Sequence, residues 1–259
     1  MLLPEFRNPE GIVGPQMLIL SVDTSGKQGS IALARAGERS ENNSAFEVIE
    51  IAPLTGGTFS AQLIPQIAEL LSSNGFVRSD IGAFAVASGP GSFTGLRIGL
   101  AAVKALAEVL NKPIAAVSLL EACVFASSAQ GQIIQGKIMQ GGVMQNKIMA
   151  ALDAGRGDVY VGEYEIPAGT GQVPREHMLT RSEFLSQANG WTVVTPDSVL
   201  ADAAAAAGLS VSKLAPVSAA EIARLGWQKI QSGETVTPEQ LEANYIRRTD
   251  AEMLEKMGS

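Results

Sequence analysis

The segment AVASGPGSFTGLRIGLAAVKALAEVL, from Ala85 to Leu110, joins a short apolar strand to a glycine-rich turn and a long alanine-rich helix. Glycines before a helix often cradle phosphate, because free amide N–H groups at a helix N-terminus attract anions. The turn lacks the Lys-Ser/Thr pair of a Walker A loop, however. A helix cap at Ser92 or Thr94 would explain the same composition. An anion site and a packing role are therefore both open for Gly89 to Gly95.

The helix carries apolar residues on two sides. Glycine recurs every fourth residue at positions 91, 95 and 99, and Ala102 and Leu106 extend that stripe. A second apolar stripe consists of Leu96, Leu100, Val103, Ala107 and Leu110. A helix that covers one sheet needs a single apolar stripe, so two stripes predict burial on two sides. Glycine inside a helix costs roughly 1 kcal/mol relative to alanine, which indicates close backbone approach. The second neighbour is either the preceding helix or another protein.

Composition limits the class of protein. The 259 residues are 46% hydrophobic, enough for a sizeable core in one large domain or two lobes. The net charge of −7 argues against a freestanding nucleic-acid binder, because phosphate contacts need clustered lysine and arginine. The single cysteine, Cys123, cannot form an internal disulfide, which favours a reducing compartment. Residues 1–16 make a poor signal peptide and are interpreted as a loose extension. The apolar stretches are too short to cross a bilayer, so we expect a cytoplasmic protein without membrane contact.

The order of elements predicts a mixed α/β lobe over residues 17–128. Three strands, a helix, a strand, the glycine-rich helix, a strand and a further helix follow one another, as in ribonuclease H-like lobes. Ser60 is the expected N-cap of the first helix, and Pro65 predicts a late start or a kink. Residues 127–146 are biased towards Gln, Gly and Met, and we interpret them as a solvent-exposed insertion.

A second, smaller lobe is predicted over residues 129–259. The stretch IMAALDAGRGDVYVGEYE repeats the plan of LILSVDTSGKQGSIALARAG, with Asp153 at the place of Asp23. Gly155 and Gly157 likewise correspond to Gly26 and Gly29. Such duplicated lobes are typical of the actin, Hsp70 and sugar-kinase (ASKHA) class, whose nucleotide lies between the lobes. A strand is expected in WTVVTP and helices at about 197–207 and 218–231, with the C-terminal segment free to return to the first lobe.

Few residues are candidates for chemistry. Asp23, Thr24, Ser25 and Gly26 follow a strand and are candidates for a vestigial nucleotide contact, with Asp23 holding a magnesium-bound water. Alternatively, Asp and Gly simply form the turn. The only histidine, His177, has a loop-like context and is interpreted as a surface or packing residue, so no Ser-His-Asp triad can be built. Cys123 lies among Ala, Val and Phe, where a buried, inert thiol is expected.

Six motifs in order carry a resemblance to a known family: VDTSGKQGSIAL, SAQLIPQI, SGPGSFTGLRIGLAAVKAL, KPIAAVS, ALDAGRGDVYVGEY and NYIRR. Over most of residues 17–248 the chain closely resembles the TsaB family of bacterial tRNA threonylcarbamoyladenosine biosynthesis proteins. The resemblance implies an ASKHA fold and a role in transferring threonylcarbamoyl to N6 of the adenosine next to the anticodon. TsaB is regarded as the non-catalytic partner of the catalytic paralogue TsaD, together with the small ATPase TsaE. The resemblance implies that the protein has no cofactor of its own, although ADP or ATP at the complex interface is an option. It also implies that the protein contacts tRNA only through the complex.

The resemblance also bears on metal chemistry. The catalytic paralogue carries a helical His-x-x-x-His metal pair shortly after the corresponding glycine-rich helix. Alignment of KPIAAVSLLEAC with that segment places Leu119 and Cys123 at the two histidine positions. Because neither residue rebuilds the pair, we expect no metal. Phe59 stands where relatives usually have histidine.

The family finally implies a partner surface. Its first helix and its glycine-rich helix contact the catalytic paralogue, and a homodimer can use the same surface. The residues predicted to form it are Leu63, Ile67, Leu70, Gly95, Leu96, Arg97, Gly99, Leu100, Ala102 and Leu106. On this hypothesis the glycine-rich segment is mainly a packing device. The alternative is an autonomous ATP-dependent phosphotransferase or ATPase of the actin/sugar-kinase class.

Overall fold

The structure, a computed structural model, describes residues 16–37, 46–55, 58–129, 146–166 and 174–246. The extension predicted at 1–16 and the insertion predicted at 127–146 lie largely outside these residues. The described residues form two five-stranded sheets and six α-helices.

The first sheet has the strand order β3-β2-β1-β4-β5. β1 pairs antiparallel with β2 and parallel with β4, β2 pairs antiparallel with β3, and β4 pairs parallel with β5. One helix follows each of β3, β4 and β5, which is the ribonuclease H-like order that the sequence predicts. The elements are β1 (Met17–Asp23), β2 (Gly29–Ala36), β3 (Phe46–Leu54), α1 (Phe59–Ser73), β4 (Ile81–Gly89), α2 (Phe93–Leu110), β5 (Ile114–Ser118) and α3 (Leu119–Ala129).

The second sheet repeats this plan. Its order is β8-β7-β6-β9-β10, and each strand pairs in the same direction as its counterpart. Helices follow β8, β9 and β10, as they follow β3, β4 and β5. The duplication predicted from the two aspartate turns is therefore confirmed, and with it the two-lobed ASKHA fold class. The elements are β6 (Asn146–Gly155), β7 (Asp158–Ile166), β8 (Arg175–Thr180), α4 (Arg181–Gln187), β9 (Thr192–Thr195), α5 (Ser198–Ala206), β10 (Ser210–Lys213) and α6 (Ala219–Ser232).

The apolar core is arranged in layers around the two sheets. α1 and α2 cover one face of the first sheet, and α3 and α6 cover its other face. α3 also packs on the second sheet through Leu120, Cys123 and Val124, so it is buried on two sides. α4 and α5 cover the far face of the second sheet. The chain after α6 stays on the first sheet, where Val236 bridges to Ile114 and Leu241 is buried.

Local predictions for α1 need correction. The helix begins at Phe59 with Thr58 at the N-cap, so a cap at Ser60 and a late start at Pro65 are both wrong. Pro65 is an exposed residue inside the helix. Phe59 and Leu63 are buried in the core and hold the first turn in place. Their burial outweighs the local preference of proline for a helix start.

Candidate functional site

The first hairpin turn is tied down by its own side chains. Oδ1 of Asp23 accepts hydrogen bonds from the backbone N–H of Ser25 at 2.9 Å and from the Ser25 hydroxyl at 2.5 Å. Burial raises the pKa of the Asp23 carboxyl above its ordinary value, against the lowering effect of the Ser25 bonds. The Asp23 side chain therefore stabilises the turn, in agreement with the interpretation that Asp and Gly simply form it.

This turn is clamped to the start of α2. The N–H of Ser92 donates to the Ser25 carbonyl oxygen at 2.7 Å, and the Thr24 hydroxyl donates to the Gly95 carbonyl oxygen at 2.7 Å. The Ser92 hydroxyl accepts from the Gly95 N–H at 3.3 Å, so the cap predicted at Ser92 is confirmed. Several amides and hydroxyls that an anion would need are thus already engaged.

The glycines of α2 face this turn. A Cβ at Gly91 would lie 2.6 Å from the Ser25 carbonyl oxygen. At Gly95 and Gly99 an added Cβ would come closer still, to the carbonyl oxygen and the hydroxyl of Thr24 respectively. The close approach predicted from the glycine spacing is real, but it is made within the chain. The spacing is therefore no reason to expect a second protein at these glycines.

A cavity of about 630 Å³ opens between the two lobes. The first hairpin contributes Ser25, Gly26 and Lys27, and the second contributes Asp153 and Tyr160. Of the four residues predicted to contact a nucleotide, Ser25 and Gly26 line the cavity, whereas Asp23 and Thr24 are buried and bonded as described above. The remaining lining residues are Phe59, Ser60, Gly91, Ser92, Thr94, Gly95, Ile98, Ala154 and Gly155.

The second hairpin turn resembles the first in its hydrogen bonding. Oδ1 of Asp153 accepts from the Gly155 N–H at 3.2 Å, as Asp23 accepts from Ser25. Gly155, Arg156 and Gly157 all have positive φ, at 73°, 58° and 89°. Glycine reaches this conformation without strain, whereas arginine does so at a cost. The correspondence of Asp153 with Asp23 therefore extends to the hydrogen bond of the aspartate, whereas the backbone differs, because Gly26 and Gly29 of the first turn do not have positive φ.

The residues predicted for the partner surface divide by burial. Arg97 is exposed, and Ala102 and Leu106 are partly buried. The other predicted residues are buried in this chain, in the core or against the Thr24 turn: Leu63, Ile67, Leu70, Gly95, Leu96, Gly99 and Leu100. The second apolar stripe of α2 thus faces its own sheet.

About half of the exposed residues of α1 and α2 are nevertheless apolar or small. The two helices pack against each other, and their solvent sides carry small and apolar residues. Of the large apolar side chains on these two helices, Ile64 and Val109 are the most exposed, at 50% and 78%, and Phe93 follows at 37%. The smaller ones are Ala61, Ala68, Ala101 and Ala105. Sequence periodicity misses this face because alanine and glycine dilute the contrast between the two sides of α2.

An exposed aromatic cluster lies at the N-terminus of α2. The ring centroids of Phe93 and Tyr245 are 5.2 Å apart, and the Arg97 guanidinium lies 3.7 Å from the Phe93 ring centroid. Nε of Arg97 also donates to the Tyr245 hydroxyl at 3.2 Å. The sequence does not predict this contact, because Tyr245 is 148 residues away from Arg97.

The residues considered for nucleophilic or metal chemistry lie in unreactive surroundings. Cys123 is fully buried, and burial raises the pKa of its thiol to about 12, so it stays protonated at neutral pH. Leu119 is buried against the first sheet. His177 lies in strand β8, so its predicted loop context is wrong, and its Nε2 lies 3.6 Å from Oε1 of Glu163. Within the described ranges, no cluster of three or more His, Cys, Asp or Glu residues is placed to hold a metal ion.

None of the described helices is long and apolar enough to span a bilayer.

The two-lobed fold and the cleft place the chain in the ASKHA class, and comparison with known proteins narrows this class to a family. Residues 53–225, more than half of the 259 residues, match the family described as TsaD: tRNA N6-adenosine threonylcarbamoyltransferase. The chain belongs to this family.

Among the similar relatives are proteins named TsaB. The chain is 32% identical over 149 residues to the tRNA threonylcarbamoyladenosine biosynthesis protein TsaB of Escherichia coli (strain K12), covering 58% of this chain and 55% of that protein. It is 33% identical over 153 residues to TsaB of Bacillus subtilis (strain 168), covering 59% and 57%. The matches thus span little more than half the length of these relatives. The resemblance to the TsaB family is confirmed.

A solved structure supports the fold over a longer stretch. YeaZ from Pseudomonas aeruginosa superimposes with a TM-score of 0.63 at 24% identity, covering 88% of this chain and 99% of that chain. At this identity the likeness speaks to the fold.

Proposed function

We propose that the protein is a non-catalytic subunit in the biosynthesis of threonylcarbamoyladenosine in tRNA. In this role it is the partner and scaffold of a TsaD-type catalytic paralogue that transfers threonylcarbamoyl to N6 of the adenosine next to the anticodon. A TsaE-type ATPase completes the complex, and tRNA is contacted through the complex. The proposal is supported by membership of the TsaD family and by the similarity to proteins named TsaB.

The observation that carries the partner role is the exposed face of α1 and α2. Large apolar side chains at the surface mark interaction sites when they are grouped. Ile64 and Val109 project from two helices that pack together, and the same helices expose Ala61, Ala68, Ala101 and Ala105. This face is suited to a helix pair of another chain, because small side chains let helix backbones approach closely. The same face serves a homodimer when the paralogue is missing.

The non-catalytic role is supported by the residues at the metal-ligand positions of the paralogue. Leu119 has no donor atom, and the Cys123 thiol is buried with a raised pKa. A thiol must lose its proton to bind a metal, and this environment opposes that loss. We therefore expect less than one tightly bound transition metal per chain by elemental analysis.

The test is binding of the purified paralogue to Ile64→Lys and Val109→Glu variants, measured by calorimetry. Each places a charge on the proposed surface without entering the core, so circular dichroism and melting temperature should stay unchanged. We expect each variant to weaken association at least tenfold, which corresponds to about 1.4 kcal/mol. Val199→Lys is the matched control, because Val199 is 58% exposed on α5 of the other lobe.

Sedimentation of the same variants tests the homodimer. If the paralogue and the homodimer share one surface, both should weaken together, and added paralogue should dissociate the dimer. Unchanged paralogue affinity in both folded variants would place the partner surface elsewhere. If a reconstituted reaction makes threonylcarbamoyladenosine equally well without this protein, the proposed function itself is wrong.

Binding and hydrolysis of magnesium-ATP by the isolated chain distinguish the proposed function from the alternative, an autonomous phosphotransferase or ATPase. The Ser25 and Ser92 amides are bonded within the turn, which leaves fewer donors for phosphate in the cleft. We therefore expect weak or no ATP binding and no steady hydrolysis by the isolated chain, with any ADP or ATP held at the complex interface. ATPase activity that Asp23→Ala abolishes would favour the alternative.

A further inference from the structure

One carboxylate joins three separate parts of the chain. Oε1 of Glu176 accepts hydrogen bonds from the Ser118 hydroxyl at 2.5 Å and the Tyr164 hydroxyl at 2.9 Å, and its Oε2 accepts from the Asn244 side-chain amide. Ser118 ends β5 of the first sheet, while Tyr164 and Glu176 lie on β7 and β8 of the second. Asn244 belongs to the segment that follows α6. Glu176 therefore connects both sheets to the C-terminal part of the described chain.

The three donors are neutral groups, so they hold the carboxylate by charge-assisted hydrogen bonds that fix its geometry. The neighbouring acid, Glu121, has its own partner in Lys229, at 3.0 Å. Burial raises the pKa of Glu121, Lys229 lowers it, and the negative charge of Glu176 raises it further. Lys229 is thus engaged with Glu121, and it also contacts Glu234 at 3.5 Å.

Residues 242–246, here called the strap, run from this carboxylate to the start of α2. The Asn244 N–H donates to the Ser88 carbonyl oxygen at 2.7 Å, at the end of β4. The Asn244 carbonyl oxygen lies against Gly89, where an added Cβ would be 2.9 Å away. The next residue, Tyr245, makes the ring and hydroxyl contacts with Phe93 and Arg97 in the first turns of α2. A continuous set of contacts therefore runs from the second sheet to α2.

We propose that Glu176 and Asn244 form a joint through which the position of the second lobe controls the strap and the N-terminal turns of α2. While the joint is closed, Asn244 holds Tyr245 on Phe93 and Arg97. A movement of the second sheet that opens the joint releases Tyr245 and loosens the start of α2. Glu176 is thus a positioning residue that acts through Asn244, and the coupling does not depend on which partner or ligand the protein takes.

The test is amide hydrogen exchange of the full chain, measured by mass spectrometry at pH 8. Asn244→Asp replaces the amide donor by a second carboxylate that repels Glu176, while Ser118 and Tyr164 keep their acceptor. We expect amide exchange to accelerate at least tenfold in peptides that cover residues 241–246 and 92–97. Combining Asn244→Asp with Glu176→Gln should restore protection, because the glutamine can donate to the aspartate and still accept from Ser118 and Tyr164.

A matched control is available on the first lobe. Asn74 donates to Oε2 of Glu50 at 2.6 Å, so Asn74→Asp creates a similar like-charge pair away from the strap. It should leave exchange in residues 92–97 at the wild-type rate. Tyr245→Ala removes the ring contact and keeps the joint, so it should accelerate exchange in 92–97 even if Asn244→Asp fails to fold.

The possible results separate clearly. Faster exchange in 241–246 with unchanged exchange in 92–97 would show that the strap does not control α2. Failure of the double substitution to restore protection would show that the Glu176–Asn244 bond is not the joint. Wild-type exchange in all variants would overturn the proposal entirely.

Discussion

At Gly95, replacement of one hydrogen by a methyl group would collide with a backbone carbonyl oxygen. An alanine Cβ would overlap the carbonyl oxygen of Thr24, which directly follows β1 of the first sheet and cannot easily withdraw. Overpacking of this kind typically costs about 1–3 kcal/mol, and we expect Gly95→Ala to lie at the upper end. Urea unfolding measures the change in the free energy of unfolding.

The control for this prediction lies on the exposed side of the same helix. Ala101→Leu adds more atoms than Gly95→Ala, yet it should change the free energy of unfolding by less than about 0.5 kcal/mol. Equal effects of the two substitutions would contradict the packing role of Gly95. By the same geometry, a bulky residue at Gly99 would test the fold and not a partner surface.

The buried carboxyl of Asp23 predicts a pH dependence of stability. Burial raises its pKa in the folded state above the ordinary value of 3.8. The folded protein therefore binds the proton more tightly than the unfolded chain, and stability falls as the pH rises from about 3.8 through the folded-state pKa. Asp23→Asn keeps an oxygen acceptor for Ser25 but has no charge to bury.

The stability of Asp23→Asn relative to wild type should thus increase from pH 4 to pH 7. Urea unfolding at pH 4, 5.5 and 7 measures this difference, and other titrating groups cancel between the two proteins. A constant difference would mean that folding does not shift the pKa of Asp23, and a difference that decreases with pH would mean that the carboxylate is stabilised by its surroundings.

At the scale of single elements, the helix caps differ in what they contribute. Ser218 caps α6 through a full capping box with Glu221, and the Ser218 hydroxyl also accepts from the Ala220 N–H. Thr58 at the start of α1 makes no side-chain cap bond. We expect Ser218→Ala to lower the free energy of unfolding by about 1 kcal/mol and Thr58→Ala to change it by less than about 0.5 kcal/mol. Thermal and urea unfolding of both variants check the contrast, and equal losses would contradict it.

Elements with strong local signals could be predicted from the sequence. α6 is long and has clear apolar periodicity, the glycine-rich turn and its cap mark the start of α2, and the two aspartate turns indicate the duplicated hairpins. The sequence does not predict β8 and β10 because they consist mainly of polar residues, unlike the equally short β5 and β9. It does not predict α4 because seven residues are too few to establish a period. Tertiary contacts also set the start of α1, where burial of Phe59 outweighs the local signal of Pro65.

The candidate site shows the same limit. The sequence predicts close approach at the glycines of α2, but it does not identify the approaching group as Thr24 of the same chain. Burial decides which predicted surface residues are available, and only three-dimensional packing shows that Leu63 and Leu100 face inward while Ile64 and Val109 face solvent. Long-range polar contacts such as Glu176 with Asn244, 68 residues apart, leave no local pattern at all.

At the scale of the whole molecule, the net charge predicts how strongly the isolated chain binds tRNA. The chain carries 19 basic and 26 acidic residues, for a net charge of −7. Nucleic-acid binding is driven largely by release of counterions from phosphates that lysine and arginine neutralise, and an acidic protein repels the polyanion at long range. We therefore expect the dissociation constant of the isolated chain for tRNA to exceed about 10 µM at 150 mM salt. Such binding is as weak as non-specific binding or weaker.

Addition of the catalytic paralogue should strengthen tRNA binding, because the proposed complex has a tRNA-binding surface that the isolated chain lacks. Fluorescence anisotropy with labelled tRNA, measured at 50, 150 and 300 mM salt with and without paralogue, distinguishes the two situations. The Ile64→Lys variant is informative here because it adds a positive charge, which alone would favour tRNA binding. If tRNA is recruited by the paralogue, this variant should nevertheless reduce tRNA binding by the mixture. If the isolated chain binds tRNA at submicromolar concentration with a steep salt dependence, its acidic balance conceals a local basic surface. Contact with tRNA would then be direct.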